Sequence, residues 1–417
     1  MKSVDDRFLW SVETIVGALL LSFPALMVTF LGGMNAVLFA SVLIALLVKF
    51  RSPAKLDKAE CKSEWLPYMA AMFAMTIAIL ISQTYHQSFS APHYDGPARY
   101  WLAIPVFLLF YRLDLRIFST LQFAFPIAAI IGWILANDQG GGMTMPQIDK
   151  IRYGDSMLIF SALSLFSLDW LGRDARSLRA LKWTGFFVGL IASFQSGTRG
   201  ALLAIPVFVA IYIYSRGGRL SIKTILVSLI SGAMIIGISY LSSPKVQFRL
   251  EAISSDVTAY DQGNRNTSTG IRWQLYHAAV EIISEQPVFG VGPGGYALQM
   301  ASMANAGKIT QLAAELGRGE VHNDILKKTA DMGIFGLIAI FSVYLVPFWM
   351  FLKSSKSYSM RIRRAGVMGM VFVSGFMVFG LTAEVLNLTM TISFYSFTVA
   401  VLLAYCYNIH HAEQGAT

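Results

Sequence analysis

The chain has 417 residues, 55% of them hydrophobic and 14% charged, with a mean hydropathy of +0.57. That balance excludes a soluble globule, because too few polar side chains are present to cover one. Apolar runs of about 16 to 23 residues separated by short charged loops also exclude an outer-membrane barrel, whose segments alternate over about ten residues.

The fold class is therefore an all-α integral membrane bundle. In chain order the sequence predicts about twelve transmembrane helices, at 9–30, 34–49, 65–84, 99–111, 117–136, 156–171, 182–197, 200–215, 222–241, 333–352, 364–382 and 386–408. The first apolar run follows MKSVDDR. It outruns a signal-peptide core and reads as a retained anchor. The expected organisation is helices one to nine in 1–241, one long, partly helical outer loop in 242–332, and the last three helices with a cytoplasmic tail in 333–417.

Lys and Arg in short loops resist translocation, so they set the orientation. With the N-terminus inside, 21 of the 33 basic residues fall on inner segments. The short outer connections hold only Arg99, Lys150, Arg152 and Arg199, and the rest lie in the long loop, which translocates largely regardless of charge. The net charge of +9 is thus mostly topological and implies no nucleic acid partner. Cys61 and Cys406 both fall on the inner side, where no disulfide is expected.

The outer side collects residues that a bundle alone does not explain. Arg199 separates two apolar runs in SGTRGALL, with Gly197 and Gly200 beside it allowing a tight turn or a close backbone approach. A cation there could simply snorkel to headgroups, yet the outer connections are otherwise poor in basic residues. In the long loop, Leu275, Ala278, Ala279, Ile282 and Ile283 recur at helical spacing. They predict an amphipathic helix over 271–285, lying on the membrane or capping the bundle. Ser268 or Thr269 could cap it, which would put Arg272 in its first turn against the helix dipole. FGVGPGGY reads as a glycine-rich turn, since no strand precedes it and no Walker lysine follows. His322 opens a short helix, HNDILKKTADMGIFG, that leads into the tenth span.

Together, SGTRGALL at a span end, GIRWQLYHAAVEIISEQPVFGVGPGGY in the long loop and VHNDILKKTADMGIFGL entering the next helix resemble the O-antigen ligase and polymerase superfamily. The resemblance implies a membrane-embedded, GT-C type glycosyltransferase in the bacterial inner membrane, acting without a metal or other cofactor at the periplasmic face. It implies a glycan donor on undecaprenyl pyrophosphate and, in the ligase branch, lipid A–core oligosaccharide as acceptor. By motif, Arg199 and Arg272 correspond to donor pyrophosphate contacts and His322 to the catalytic histidine.

The chemistry of the side chains agrees with those roles. Arginine stays protonated and presents a planar fork to phosphate oxygens, and it can stabilise charge on a leaving pyrophosphate. A histidine, kept neutral by neighbouring guanidinium groups, could take the acceptor hydroxyl proton. No DxD-type carboxylate pair stands on the outer side to suggest a metal. Glu384 could orient His322 or bind a sugar, and Arg99 could be a third phosphate contact. Two other readings compete: an O-antigen polymerase that elongates lipid-linked glycan, and a polytopic lipid-glycan transporter. The transporter reading predicts charges spread near the midplane of the spans rather than gathered at one boundary.

Overall fold

A computed structural model of the protein describes residues 4–51, 63–138, 148–217 and 262–414, with isolated residues between 222 and 259. The described residues form an all-helical bundle. Its helices are α1 (Val4–Thr29), α2 (Gly33–Arg51), α3 (Leu66–His86), α4 (Asp95–Phe110), α5 (Leu121–Asp138), α6 (Lys150–Phe166), α7 (Arg176–Ser196), α8 (Arg199–Leu202) and α9 (Ala204–Ser215). They continue with α10 (Ser268–Glu285), α11 (Gly295–Asn305), α12 (Gln311–Gly317), α13 (Asp324–Ser354), α14 (Met360–Phe379) and α15 (Thr389–Gln414).

Seven described helical stretches are long and apolar enough to cross a membrane: Trp10–Thr29, Gly33–Arg51, Ser63–His86, Leu115–Asp138, Asp324–Ser354, Met360–Phe379 and Thr389–Asn408. Gly200–Ser215 is apolar but shorter. The expected spans at 99–111, 156–171 and 182–197 are matched by α4, α6 and α7, which do not meet the same measure of length and hydropathy. The span expected at 222–241 lies outside the described residues apart from isolated positions.

Burial follows the chemistry of a bundle in lipid. The last helix is the axis: α15 packs on α2, α4 and α14, and its side chains are buried almost all round. Phe23, Phe125, Phe160, Phe394 and Phe397 interlock beside it with ring centroids 5.0 to 6.3 Å apart, at the separations that favour edge-to-face and tilted pairs. Large apolar side chains such as Leu43, Leu47, Phe50, Ile77, Ile191 and Ile338 face outward, which suits a lipid solvent and not water.

A second, smaller core closes one end. Ile271, Leu275, Ala278, Ala279 and Ile282 on α10 pack against Tyr296, Met300 and Met303 of α11 and Ala313 and Ala314 of α12. The predicted amphipathic helix therefore caps the bundle with its own core. It begins three residues earlier than expected, because Thr267 is the cap and its hydroxyl accepts from Gly270 N at 3.1 Å. Arg272 consequently falls just beyond the first turn, where the opposing helix dipole is weaker. The glycine-rich turn joins this cap to the bundle: a Cβ on Gly290 would overlap the Asp331 backbone, and one on Gly333 would overlap Val288. Gly333 breaks the helical path of α13 with φ 59° and ψ −143°. Gly290 of that turn thus serves a close backbone approach.

Candidate active site

Two chain segments meet under the cap and bring distant residues together. The first is Glu320–Asp324, leading into α13; the second is Gly380–Leu386, between α14 and α15. Asp324 N–H donates to Gly380 O at 2.8 Å. Asn323 caps α13 by accepting from Leu326 N at 2.9 Å, and its amide donates to Leu381 O at 3.1 Å. Two glutamates then cross: Glu384 N–H donates to Glu320 Oε1 at 2.7 Å, and Val321 N–H donates to Glu384 Oε1. This reciprocal pairing fixes the loop on either side of His322.

His322 is held in a left-handed conformation, with φ 64°, unusual for a residue other than glycine. Such a conformation costs about 1–3 kcal/mol and persists only when the surroundings enforce it. Here the bonds of Val321, Asn323 and Asp324 do so, together with the Tyr276 hydroxyl, which donates to His322 O at 3.0 Å and lies 3.3 Å from Leu381 O. The His322 ring is partly exposed, and its Nδ1 stands 3.5 Å from Glu320 Oε1. That is the loose separation from which catalytic pairs tighten on binding substrate.

Arg152, in the first turn of α6, is the basic partner of this loop. Its Nη2 donates to Glu384 O at 3.0 Å and lies 3.6 Å from Glu320 Oε1, while Nη1 is 2.5 Å from Asp149 Oδ2. Asp149 also caps α6, accepting from Ile151 N and Arg152 N at 3.0 and 3.1 Å. Burial alone would raise the Glu320 carboxyl, but the nearby His322 ring, the Arg152 guanidinium and the hydrogen bond from the Glu384 amide outweigh it and hold it at about 2. Glu384 is the opposite case. Its complete burial dominates over the nearby Lys327 and Lys328 ammonium groups and pushes its carboxyl up to about 7.

The residues singled out by sequence fall into distinct positions. Arg272 lies one turn from Tyr276, whose hydroxyl burial raises and the Arg272 guanidinium lowers. Tyr276 in turn binds the His322 carbonyl, so Arg272 and His322 belong to one neighbourhood. Arg272 itself makes no hydrogen bond or ion pair among the described residues, and a cation with free donors can accept a ligand. Arg199 begins α8, behind Gly197, whose φ of 70° ends α7. A Cβ on Gly200 would overlap the Thr382 side chain, so this turn packs on the same 380–386 segment. The Arg199 side chain lies outside the described part.

Glu384 is in the group, although the carboxylate beside His322 is Glu320. The charged neighbour of His322 seen here is thus a carboxylate, where the sequence suggested guanidinium groups. Arg99 is engaged elsewhere: it is buried, pairs with Asp95 at 3.0 Å, donates to Asn35 Oδ1 at 3.2 Å and lies over the Phe39 ring. Glu320 and Arg152 were not singled out as site residues. Each carries a signal, Glu320 as the carboxylate two positions before His322, and Arg152 as one of the few basic residues in the short outer connections.

The arrangement couples a strained, partly exposed histidine to an ionised carboxylate, beside an arginine with available donors. It can withdraw a proton from a hydroxyl and hold an anion nearby. Residues 184–341 match the model of the O-antigen ligase family, which supports assigning the chain to that family. The match includes Arg199, Arg272, Glu320 and His322, whereas Arg99, Arg152 and Glu384 lie outside it. An uncharacterized protein of Haemophilus influenzae is 25% identical over 287 residues, covering 67% of this chain and 71% of the relative.

Proposed function

We propose, from the O-antigen ligase match of residues 184–341, that this chain transfers a glycan from undecaprenyl pyrophosphate to lipid A–core oligosaccharide. Members of the family act as glycosyltransferases on lipid-linked glycans. The reaction takes place at the periplasmic face of the bacterial inner membrane, with the His322 end of the bundle outward. The observation that carries this reading is His322 itself: a histidine held at φ 64°, partly exposed, with Glu320 at 3.5 Å from Nδ1.

With Nδ1 turned to Glu320, Nε2 is the nitrogen left to face an acceptor hydroxyl. It takes the hydroxyl proton as the acceptor oxygen attacks the anomeric carbon. The bond from that carbon to the pyrophosphate oxygen breaks, the configuration inverts, and undecaprenyl pyrophosphate departs with the electron pair. Arg272 and Arg199 hold the pyrophosphate and stabilise its growing charge. Glu320 orients His322 and stabilises the imidazolium, and Arg152 keeps Glu320 and the Glu384 carbonyl in place. No step calls for a metal.

Reconstitution with purified lipid-linked glycan and lipid A–core, in the presence of EDTA, tests this. The expected result is a glycan-capped lipid A product that forms with wild type and disappears in His322→Ala. Elongated lipid-linked glycan with no lipid A product would replace the ligase reading with that of a polymerase. Translocation of lipid-linked glycan without any new glycosidic bond would replace it with a transporter.

A further inference from the structure

A cavity of about 260 Å³ opens between the ends of α3 and α4, the first turns of α13 and the start of α15. Arg152, Arg272, Glu320 and His322 do not line it; it adjoins the site above through Leu386, at the end of the 380–386 segment. Its deeper wall is largely apolar, with Met75, Ile79, Met332 and Ile392, and its mouth is polar.

The charges at that mouth do not cancel. Asp95 is engaged by Arg99 at 3.0 Å. Asp331 is engaged by Lys327 at 2.6 Å and by Tyr296 N–H at 3.1 Å. Both lining carboxylates are therefore neutralised, and so is Lys327. Lys328 remains: it lines the cavity and has no hydrogen bond or ion pair among the described residues. Behind it lie Asp324 and Glu384, which feel its charge without a hydrogen bond to it; each already has a neutral donor of its own, the Tyr344 hydroxyl at 2.9 Å and the Val321 N–H.

Further polar side chains stand around the same space. The His93 ring rests against Gly294, and the Asn387 amide and Thr389 hydroxyl are at the rim. Thr389 Oγ1 accepts from Asn35 at 3.2 Å, which leaves its proton available. The start of α4 has no side-chain cap, and Gly96 in its first turn lines the cavity. An unpaired ammonium with single donors from several directions suits a tetrahedral phosphate, whereas a planar carboxylate is best met by an arginine fork. The volume is just below the ~300 Å³ at which pockets for drug-sized ligands begin, so it suits one sugar with its charged substituent.

We propose that this cavity is a second anion subsite, which binds a phosphate monoester carried on the acceptor saccharide and leaves the donor pyrophosphate to the arginines near His322. The proposal rests on the transferase reading. It assigns the two anionic substrates to separate cations, Lys328 for the acceptor and the arginines for the donor, so that neither competes for the other's place.

Steady-state transfer by the purified full-length protein tests it, with the acceptor used intact and after phosphatase treatment. Lys328→Ala is expected to raise the KM for intact acceptor about tenfold and to leave the donor KM unaltered. Lys328→Arg should restore most of the loss, and with dephosphorylated acceptor wild type and Lys328→Ala should coincide. A rise in donor KM instead would assign the cavity to the donor and overturn the proposal. An unchanged acceptor KM with a lowered Tm would overturn it too, leaving Lys328 as compensation for Asp324 and Glu384.

A wild type that transfers nothing would remove the transferase reading itself. The subsite is then decided by binding of inorganic phosphate, followed by its ³¹P line width. Broadening by wild type and not by Lys328→Ala keeps the anion site, and equal behaviour of the two ends it.

Discussion

Lys182 and Arg152 are both buried cations near the ends of helices, and their surroundings differ in kind. Lys182 Nζ donates to Gln122 Oε1 at 2.9 Å, to Ser167 O at 2.7 Å and to both Asp174 oxygens at 3.0 Å. Asp174 and Asp169 cross-bond each other's backbone amides, and Arg179 closes the set at 2.7 Å. Around Arg152 the accounts stay open: its Nε, both Asp155 oxygens and Glu384 Oε2 are buried without a hydrogen-bond partner among the described residues. Burying polar groups unpaired is costly. A closed network reads as architecture, and an open one beside a strained histidine reads as capacity held for a ligand.

Five substitutions can break or sharpen the comparison. The largest effect should come from His322→Ala, expected to lower turnover about 10²–10⁴-fold, the usual worth of a positioned general base, with little change in Tm. Lys182→Ala should do the reverse. Removing one partner of a buried ion pair costs about 3–5 kcal/mol, so Tm in detergent should fall steeply while turnover per folded molecule persists. Loss of turnover in well-folded Lys182→Ala would end the distinction between the two clusters.

Glu320→Gln comes next, with a fall in kcat of about 10- to 100-fold, because the imidazolium loses its counter-charge. The donor KM should hold. A KM effect alone would make Glu320 a loop anchor and no more.

Glu384 sharpens the contrast through pH. Its carboxyl is raised from 4.5 to about 7, so the folded state favours the protonated form. That contribution is fully present below pH 4.5 and is lost as pH rises through 7. Glu320, lowered to about 2, has the opposite sign: its contribution is present above pH 4.5 and is lost only as pH falls through 2. Between pH 5 and 8, wild-type Tm should therefore fall, and Glu384→Gln should flatten that slope. An unchanged slope in the variant would assign the titration to another group. The smallest effect is expected of Arg99→Lys, which replaces a fork with a point charge at the Asp95 and Asn35 contacts. It should lower Tm slightly and leave the donor KM within about twofold, and a larger rise would return Arg99 to phosphate binding.

Composition and apolar periodicity by themselves pointed to a helical membrane bundle, because backbone in lipid must be satisfied within helices or closed barrels and the apolar runs are too long for barrel strands. The same scarcity made Arg199, Arg272 and His322 visible, and the α10 apolar stripe could be read directly from its spacing. Tertiary structure alone decided the partners. Glu320 meets Arg152 across 168 positions and Glu384 across 64, pairings that no local period encodes. It also gave Glu384 a backbone amide to hold, placed Glu320 beside His322 and engaged Arg99 with Asp95. Local sequence sets which residues are chemically unusual, whereas long-range packing of helices sets which of them touch.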